Sequence, residues 1–290
     1  MTAATSELTE DGTGRWVEAG GMKIHYHDVG QGPPLIMLHS VGPGGVTAWI
    51  TFHKNLPALS QHFRCIAMDM PNFAKTGPVV YNEPVHNLQA RTARALMDAI
   101  GIEKAHLLGN SQGGQSAMVF ASHYPERVDK LIFGACHIVT GGDTYLFANT
   151  RRTRRYPRPV QGAQPPTHDS IRSALADYID NDALITEELV DYLYRMATGR
   201  PDLAEARAKS TSTYYDHAPD LPKITTPALI IWGRYDRICP VEVGVKCLNQ
   251  LRKSRLVVLN DCGHWVSFER PEEYNAFVLD FLLDDWAYTS

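Results

Sequence analysis

Short apolar runs bounded by turn residues recur along the chain: Leu35–Leu38, Cys65–Met68, His106–Leu108, Leu131–Phe133, Ala228–Trp232 and Leu256–Leu259. Runs of this length without polar alternation predict strands buried on both faces, as in a parallel sheet. Ahead of them, Met22, Ile24 and Tyr26 alternate with polar residues. With the Gly20-Gly21 turn, this predicts a hairpin between Arg15–Ala19 and Met22–Val29. Helical spacing fills the intervals. Ala93, Leu96, Met97 and Ile100 share one face of Leu88–Ile100, and Gly101 stops it; Gln115–His123 ends before Tyr124-Pro125. Tyr274, Phe277, Val278, Phe281 and Leu282 mark a closing helix over Glu272–Leu283. Strands alternating with helices predict a doubly wound α/β core.

The alternation breaks between His137 and Asp220. This stretch opens on Thr140-Gly141-Gly142-Asp143, holds five arginines in the eight positions Arg151–Arg158, and continues through a Pro-rich link from Gln161 to Thr167. Two helical patterns follow. Ile171, Ala174, Leu175 and Tyr178 mark the first. The second starts at Thr186 as N-cap, with Glu187 and Glu188 in its first turn, and stops at Gly199 before Pro201. A helical insertion between sheet-forming segments reads as a cap over the core. The expected division is core over residues 1–136, cap over 137–220 and core again over 221–290.

Composition narrows the function classes. Across 290 residues, 28 Lys and Arg stand against 32 Asp and Glu, a net charge of −4. That balance disfavours a dedicated nucleic-acid binder, which needs a basic face. The Arg151–Arg158 run lacks interleaved aromatics apart from Tyr156 and reads as a solvated helix or a subunit contact. No apolar run reaches the ~18 residues of a membrane span. Met1 to Gly14 carries no Lys, Arg or apolar block, unlike a secretory signal. Five cysteines (Cys65, Cys136, Cys239, Cys247, Cys262) without a CxxC pair fit reduced thiols in a cytoplasm.

The strongest chemical motif is Gly109-Asn110-Ser111-Gln112-Gly113, a G-x-S-x-G between an apolar run and a helical pattern. Alone it fits a Gly-rich turn capping a helix as well as a nucleophile elbow. Two later segments favour the elbow. Asp236 follows the run ending in Ile231-Trp232-Gly233, and His264 follows another run, within Asp261-Cys262-Gly263-His264-Trp265. Ser111, Asp236, His264 is the chain order of an α/β-hydrolase triad. A serine hydroxyl needs a base to take its proton. Histidine titrates near neutrality, and a buried carboxylate fixes its tautomer. The loop His39-Ser40-Val41-Gly42-Pro43-Gly44-Gly45 follows the first core strand. It predicts an oxyanion hole from the N–H groups of Val41 and Gln112.

The segments His39–Gly45, Asp69–Thr76, Gly109–Gly114, Gly233–Pro240 and Gly263–Pro271 together resemble the meta-cleavage product hydrolases. These are carbon–carbon bond hydrolases of aromatic degradation within the α/β-hydrolase fold. The resemblance implies a 2-hydroxy-6-oxohexa-2,4-dienoate type substrate, a small anionic molecule, converted to its keto tautomer and then cleaved. It implies no metal or organic cofactor, and a homodimer or larger homo-oligomer. It gives Asn110 and Trp265 roles in holding the substrate, and a cap arginine, best matched by Arg195, a role at its carboxylate. Three departures stand out. Ser40 occupies a position that is usually glycine. Thr51 stands where many members have an asparagine that helps bind the acid end. Gly134-Ala135-Cys136-His137 replaces a glycine-rich stretch.

Other readings of the same residues stay open. Arg195, four residues after Asp191, also fits a surface pair or a helix-end cation. Trp265 also fits the core. His25 and His27 share a strand face, as metal ligands do, but lack a third ligand and read as hairpin surface. Cys239 and Cys262 read as packing residues, and His137 as either a pocket residue entering from the cap hinge or a structural one. The competing enzyme is a carboxylesterase or lactonase with the same triad. A competing class is a binding protein on this fold that has lost turnover. Epoxide hydrolases and haloalkane dehalogenases place an aspartate where Ser111 stands.

Overall fold

Each central strand divides its side chains between two cores. In β3 (Pro34–Leu38), Ile36 and Leu38 enter one cluster while Leu35 and Met37 enter the other. The period-two division repeats in β4 (Arg64–Met68), β5 (Ala105–Asn110), β6 (Val128–Gly134) and β7 (Ala228–Gly233). This is why these runs are apolar throughout instead of alternating. The computed structural model describes residues 8–42, 45–139 and 166–284; the Arg151–Arg158 run and the Thr140–Asp143 turn lie outside them.

Two N-terminal strands, β1 (Gly14–Ala19) and β2 (Met22–Val29), and a C-terminal one, β8 (Ser254–Leu259), complete an eight-stranded sheet in the order β1-β2-β4-β3-β5-β6-β7-β8. β2 pairs antiparallel with both neighbours; the other pairings are parallel. Short α1 (Glu10–Thr13) precedes β1. Helices α2 (Ala48–Phe52) and α3 (Leu56–Leu59) follow β3, α4 (Val85–Ala99) follows β4 and α5 (Gln112–His123) follows β5. Helices α6 (His168–Tyr178), α7 (Glu187–Thr198) and α8 (Pro201–Lys209) come between β6 and β7. The chain closes with α9 (Glu242–Gln250), α10 (Val266–Glu269) and α11 (Pro271–Leu283). Leu88 and Leu96 of α4, Phe120 of α5 and Val243 of α9 build one core. Phe52, Leu56, Val278 and Phe281, from α2, α3 and α11, build the other. The expected strands, hairpin and closing helix are all present.

The inserted helices bury their apolar stripes on the core. Ile171, Leu175, Leu189, Val190 and Leu193 form a third cluster with Val46, Ile50, Trp265 and Phe268. The Thr186 hydroxyl accepts from Leu189 N–H at 3.2 Å and starts α7 where the sequence predicts. Helix α8 was not expected. From sequence Pro201 reads as lying beyond the end of α7, whereas it occupies the first turn of a new helix, where its missing N–H costs nothing. The two ends of the insertion run together: His217 N–H donates to Ile138 O at 3.1 Å, and Val139 bridges Asp216.

One expectation fails at the N-terminus. His25 and His27 are buried, not on the hairpin surface. β2 lies inside the sheet, and α1 folds over it. His27 Nδ1 meets Thr13 Oγ1 at 2.9 Å, and His25 Nδ1 meets Asp69 Oδ2 at 2.7 Å. No group of three or more metal-ligating side chains occurs among the described residues.

Buried histidines give this fold an acid-sensitive stability. Burial lowers His27 from 6.5 to about 4, His86 to about 3 and His217 to about 4, so all three are held neutral. The unfolded chain takes up these protons first. The stability they contribute is therefore full above about pH 6.5 and is lost as pH falls through 4 toward 3. The urea midpoint should drop across that window, and His86→Gln should give a shallower drop than wild type. Parallel curves would remove His86 from this account.

Candidate active site

Ser111 lies between the last residue of β5 and the first of α5, at φ 56° and ψ −125°. For a residue with a Cβ this is a strained conformation, of order 1–3 kcal/mol. The neighbours hold it there. Ser111 N–H donates to Gly134 O at 3.0 Å. A Cβ on Gly109 would overlap the Gly113 carbonyl, and one on Gly113 would overlap the Leu38 and His39 carbonyls. The glycines of the motif thus let the start of α5 press against the end of β3. The hydroxyl is left projecting above the sheet.

The other two predicted residues converge on it. His264 Nε2 lies 2.9 Å from Ser111 Oγ, and its Nδ1 lies 2.9 and 3.0 Å from the two oxygens of Asp236. All three residues are buried. Asp236 Oδ1 also accepts from Ile238 and Cys239 N–H, each at 2.8 Å, so the loop after β7 fixes the carboxylate. With the carboxylate at Nδ1, that nitrogen carries the proton and Nε2 is left to accept from the serine.

The start of the loop predicted to supply the oxyanion hole is held at a second fixed point. His39 is fully buried, and burial lowers its pKa, keeping it neutral. Its Nε2 accepts from Met70 N–H at 2.9 Å, which puts the proton on Nδ1, donated to the Ser40 carbonyl. Val41 follows this clamp. Gln112 N–H is the first amide of α5 and has no intrahelical acceptor. Pro43 and Gly44 lie outside the described residues.

The expected substrate-binding residues divide. Asn110 and Trp265 flank Ser111 and His264 along the chain, and Asn110 Nδ2 and Trp265 Nε1 are both buried N–H donors without a partner. Ser40 is buried beside the His39 clamp. Thr51 is buried, but its hydroxyl donates back to the Thr47 carbonyl at 2.9 Å. Arg195 does not join the cluster. It is exposed on α7 and lines a groove of about 430 Å³ with Trp49, Lys54, Tyr192 and Phe268, a lining that includes neither Ser111 nor His264. Cys239 and Cys262 are buried, and burial pushes the Cys262 thiol upward, away from a reactive thiolate.

Several contacts of the site were not foreseen from sequence. The Tyr178 ring meets His264 edge-on, ring centres 4.9 Å apart, and the same ring lies beside Gly42. Tyr178 O accepts from His264 N–H at 2.8 Å. Arg237 Nη2 donates to Asp180 at 2.6 Å, and Nη1 donates to the Ala176 carbonyl at 2.6 Å. Glu269 accepts from Gly263 N–H at 2.9 Å and Asp180 N–H at 2.7 Å; its burial pushes the carboxyl up to about 7.

The alpha/beta hydrolase fold family model matches residues 33–271. A 2-hydroxy-6-oxononadienedioate/2-hydroxy-6-oxononatrienedioate hydrolase of Dechloromonas aromatica is 33% identical, over 97% of this chain and 99% of its own. A 2-hydroxy-6-oxo-6-phenylhexa-2,4-dienoate hydrolase of Comamonas testosteroni is 33% identical, over 96% and 99%. The chain belongs to the meta-cleavage product hydrolases. A solved meta-cleavage product hydrolase from Pseudomonas fluorescens IP01 superposes with a TM-score of 0.78 at 28% identity, covering 93% of this chain and 98% of that one. As a member of this family the protein is a hydrolase of the α/β-hydrolase fold, as its sequence motifs imply.

The elbow gives a direct test. Gly113→Ala should abolish labelling of Ser111 by a fluorophosphonate probe and lower Tm, because the added methyl meets the backbone of β3. Wild-type labelling in that variant would show that the turn tolerates a side chain.

Proposed function

We propose that this hydrolase cleaves the carbon–carbon bond of a 2-hydroxy-6-oxohexa-2,4-dienoate type ring-fission product. The observation that carries the reading is the Asp236–His264–Ser111 chain of hydrogen bonds, flanked by the unpartnered buried donors of Asn110 and Trp265. Buried N–H groups require an acceptor, and the oxygen-rich acid end of a dienoate supplies one. Arg195, in its exposed groove, is left out of this contact.

In the proposed sequence the dienol is first converted to its keto tautomer, with His264 moving the proton. Ser111 Oγ then attacks the ketone carbonyl as His264 takes its proton. The Val41 and Gln112 N–H groups hold the oxyanion. The carbon–carbon bond breaks, and the departing carbon takes the proton back from His264. Water, deprotonated by His264, releases the acyl group from Ser111 as a carboxylic acid. Asp236 keeps the imidazole in the needed tautomer and stabilises its cation. No metal or organic cofactor enters this scheme. Helices α6 to α8 act as the cap, within residues 137–220. Burial of all five cysteines outside any disulfide supports a cytoplasmic setting.

Esterase or lactonase action with the same triad is the second reading, favoured by the internal bond of Thr51 and the exposure of Arg195. Turnover of alkyl- and aryl-substituted dienoates against simple aryl esters separates the two. Preference for esters, with the dienoates left unchanged, would overturn the carbon–carbon reading.

Two sets of variants probe the roles. Asp236→Asn should keep the fold and lower kcat by about 10⁴, because it favours the wrong tautomer. Near-normal turnover would assign the triad acid elsewhere. Asn110→Ala should lower dienoate kcat/KM by roughly 10- to 100-fold, the effect of a lost hydrogen bond to a charged group. Arg195→Ala should stay within about threefold, an exposed charge contributing little. The reverse order would return the carboxylate to Arg195.

A further inference from the structure

The C-terminal end of α6 is fastened to the core at both loops that carry the triad's acid and base. Arg237, next to Asp236, is buried. It holds the Asp180 carboxylate at 2.6 Å and the Ala176 and Ile179 carbonyls at 2.6 and 3.3 Å. Glu269, at the end of α10, spans the other side. One of its oxygens accepts from Gly263 N–H at 2.9 Å, directly before His264. The other accepts from Asp180 N–H at 2.7 Å and Asn181 N–H at 3.4 Å. Between these anchors, the Tyr178 carbonyl accepts from His264 N–H at 2.8 Å and Trp265 N–H at 3.3 Å. None of these side chains touches the hydroxyl of Ser111 or has a proton-transfer task in the proposed reaction.

We propose that Glu269 is a positioning residue: its carboxylate locks the α6 end to the histidine loop, so that seating of the cap and alignment of His264 on Ser111 are one event. Two features make this arrangement suited to alignment. A carboxylate with two oxygens on two segments fixes their separation, whereas a single hydrogen bond leaves a hinge. The Tyr178 carbonyl and ring then constrain the histidine from its backbone and its edge together. A displacement of order 1 Å in a reacting group costs about 10²-fold in rate. A loosened clamp therefore changes turnover more than substrate affinity. The inference rests on the triad assignment above but not on the dienoate substrate.

The test is Glu269→Gln, which keeps the shape while placing an amide donor against backbone N–H groups. Three readouts on the intact protein are needed: kcat and KM on the best substrate, the rate of Ser111 inactivation by a fluorophosphonate, and the downfield proton resonance of the His264 Nδ1–H. Expected is a roughly 10- to 100-fold fall in kcat with KM within about twofold, a matching fall in inactivation rate, and a shifted or broadened imidazole resonance. Arg237→Lys, which keeps charge on Asp180 but loses the fork to the carbonyls, should show the same division. It tests the clamp from its other arm should Glu269→Gln fold poorly. A lowered Tm with kcat, inactivation rate and resonance unchanged would make Glu269 a structural residue only and overturn the proposal. Fluorophosphonate reactivity needs no dienoate. A wild type inert toward dienoates would therefore overturn the substrate reading and leave this one to be decided by its own measurements.

Discussion

The geometry of this molecule depends on one serine held at positive φ. Ser111 cannot relax, because β5 leads into it from below and α5 leaves at once, with glycines where a side chain would strike the Leu38, His39 or Gly113 backbone. Its N–H is tied to Gly134, the last residue of the adjacent strand. The strain is offset by two cores that grip the same strand from opposite faces through Leu107 and Leu108. A residue that paid no such cost would lie down along the sheet, out of reach of any base.

Parallel topology then does the assembling. β3, β5, β6 and β7 all end on one edge, so the loops after them meet although their residues lie far apart in sequence. The loops that carry Val41, Ser111 and Asp236 come from three of these ends, and the histidine loop from the end of β8 beside them. The carboxylate of Asp236 is held by two amides of its own loop, so the acid arrives oriented before the histidine meets it.

What was legible in the sequence follows from local rules. Strands buried on both faces leave unbroken apolar runs, the elbow demands small residues at fixed offsets, and the triad keeps its chain order. The rest depended on partners that spacing does not reveal. His25 and His27 looked solvated because the pairing of β2 with β4, and the fold of α1 across it, are long-range facts. The resemblance points to Arg195 for a carboxylate, but helical phase turns it outward while Leu193, two residues earlier, enters the apolar seam. Nothing in Ser267-Phe268-Glu269-Arg270 or Tyr235-Asp236-Arg237 singles out Glu269 or Arg237. Only the approach of α6 gives them their tasks.

The Tyr178 carbonyl has a consequence for how such enzymes can diversify. Because it accepts the amide of His264, the inserted helices are not a detachable module whose boundaries coincide with the gap in the sheet pattern. The last turn of α6 and the three residues after it belong mechanically to the floor beneath them. Tyr178–Asn181 are bonded to the histidine loop, so an exchanged insert keeps its seat only if these residues stay matched to that loop. New specificities are therefore easier to graft around this seam than across it.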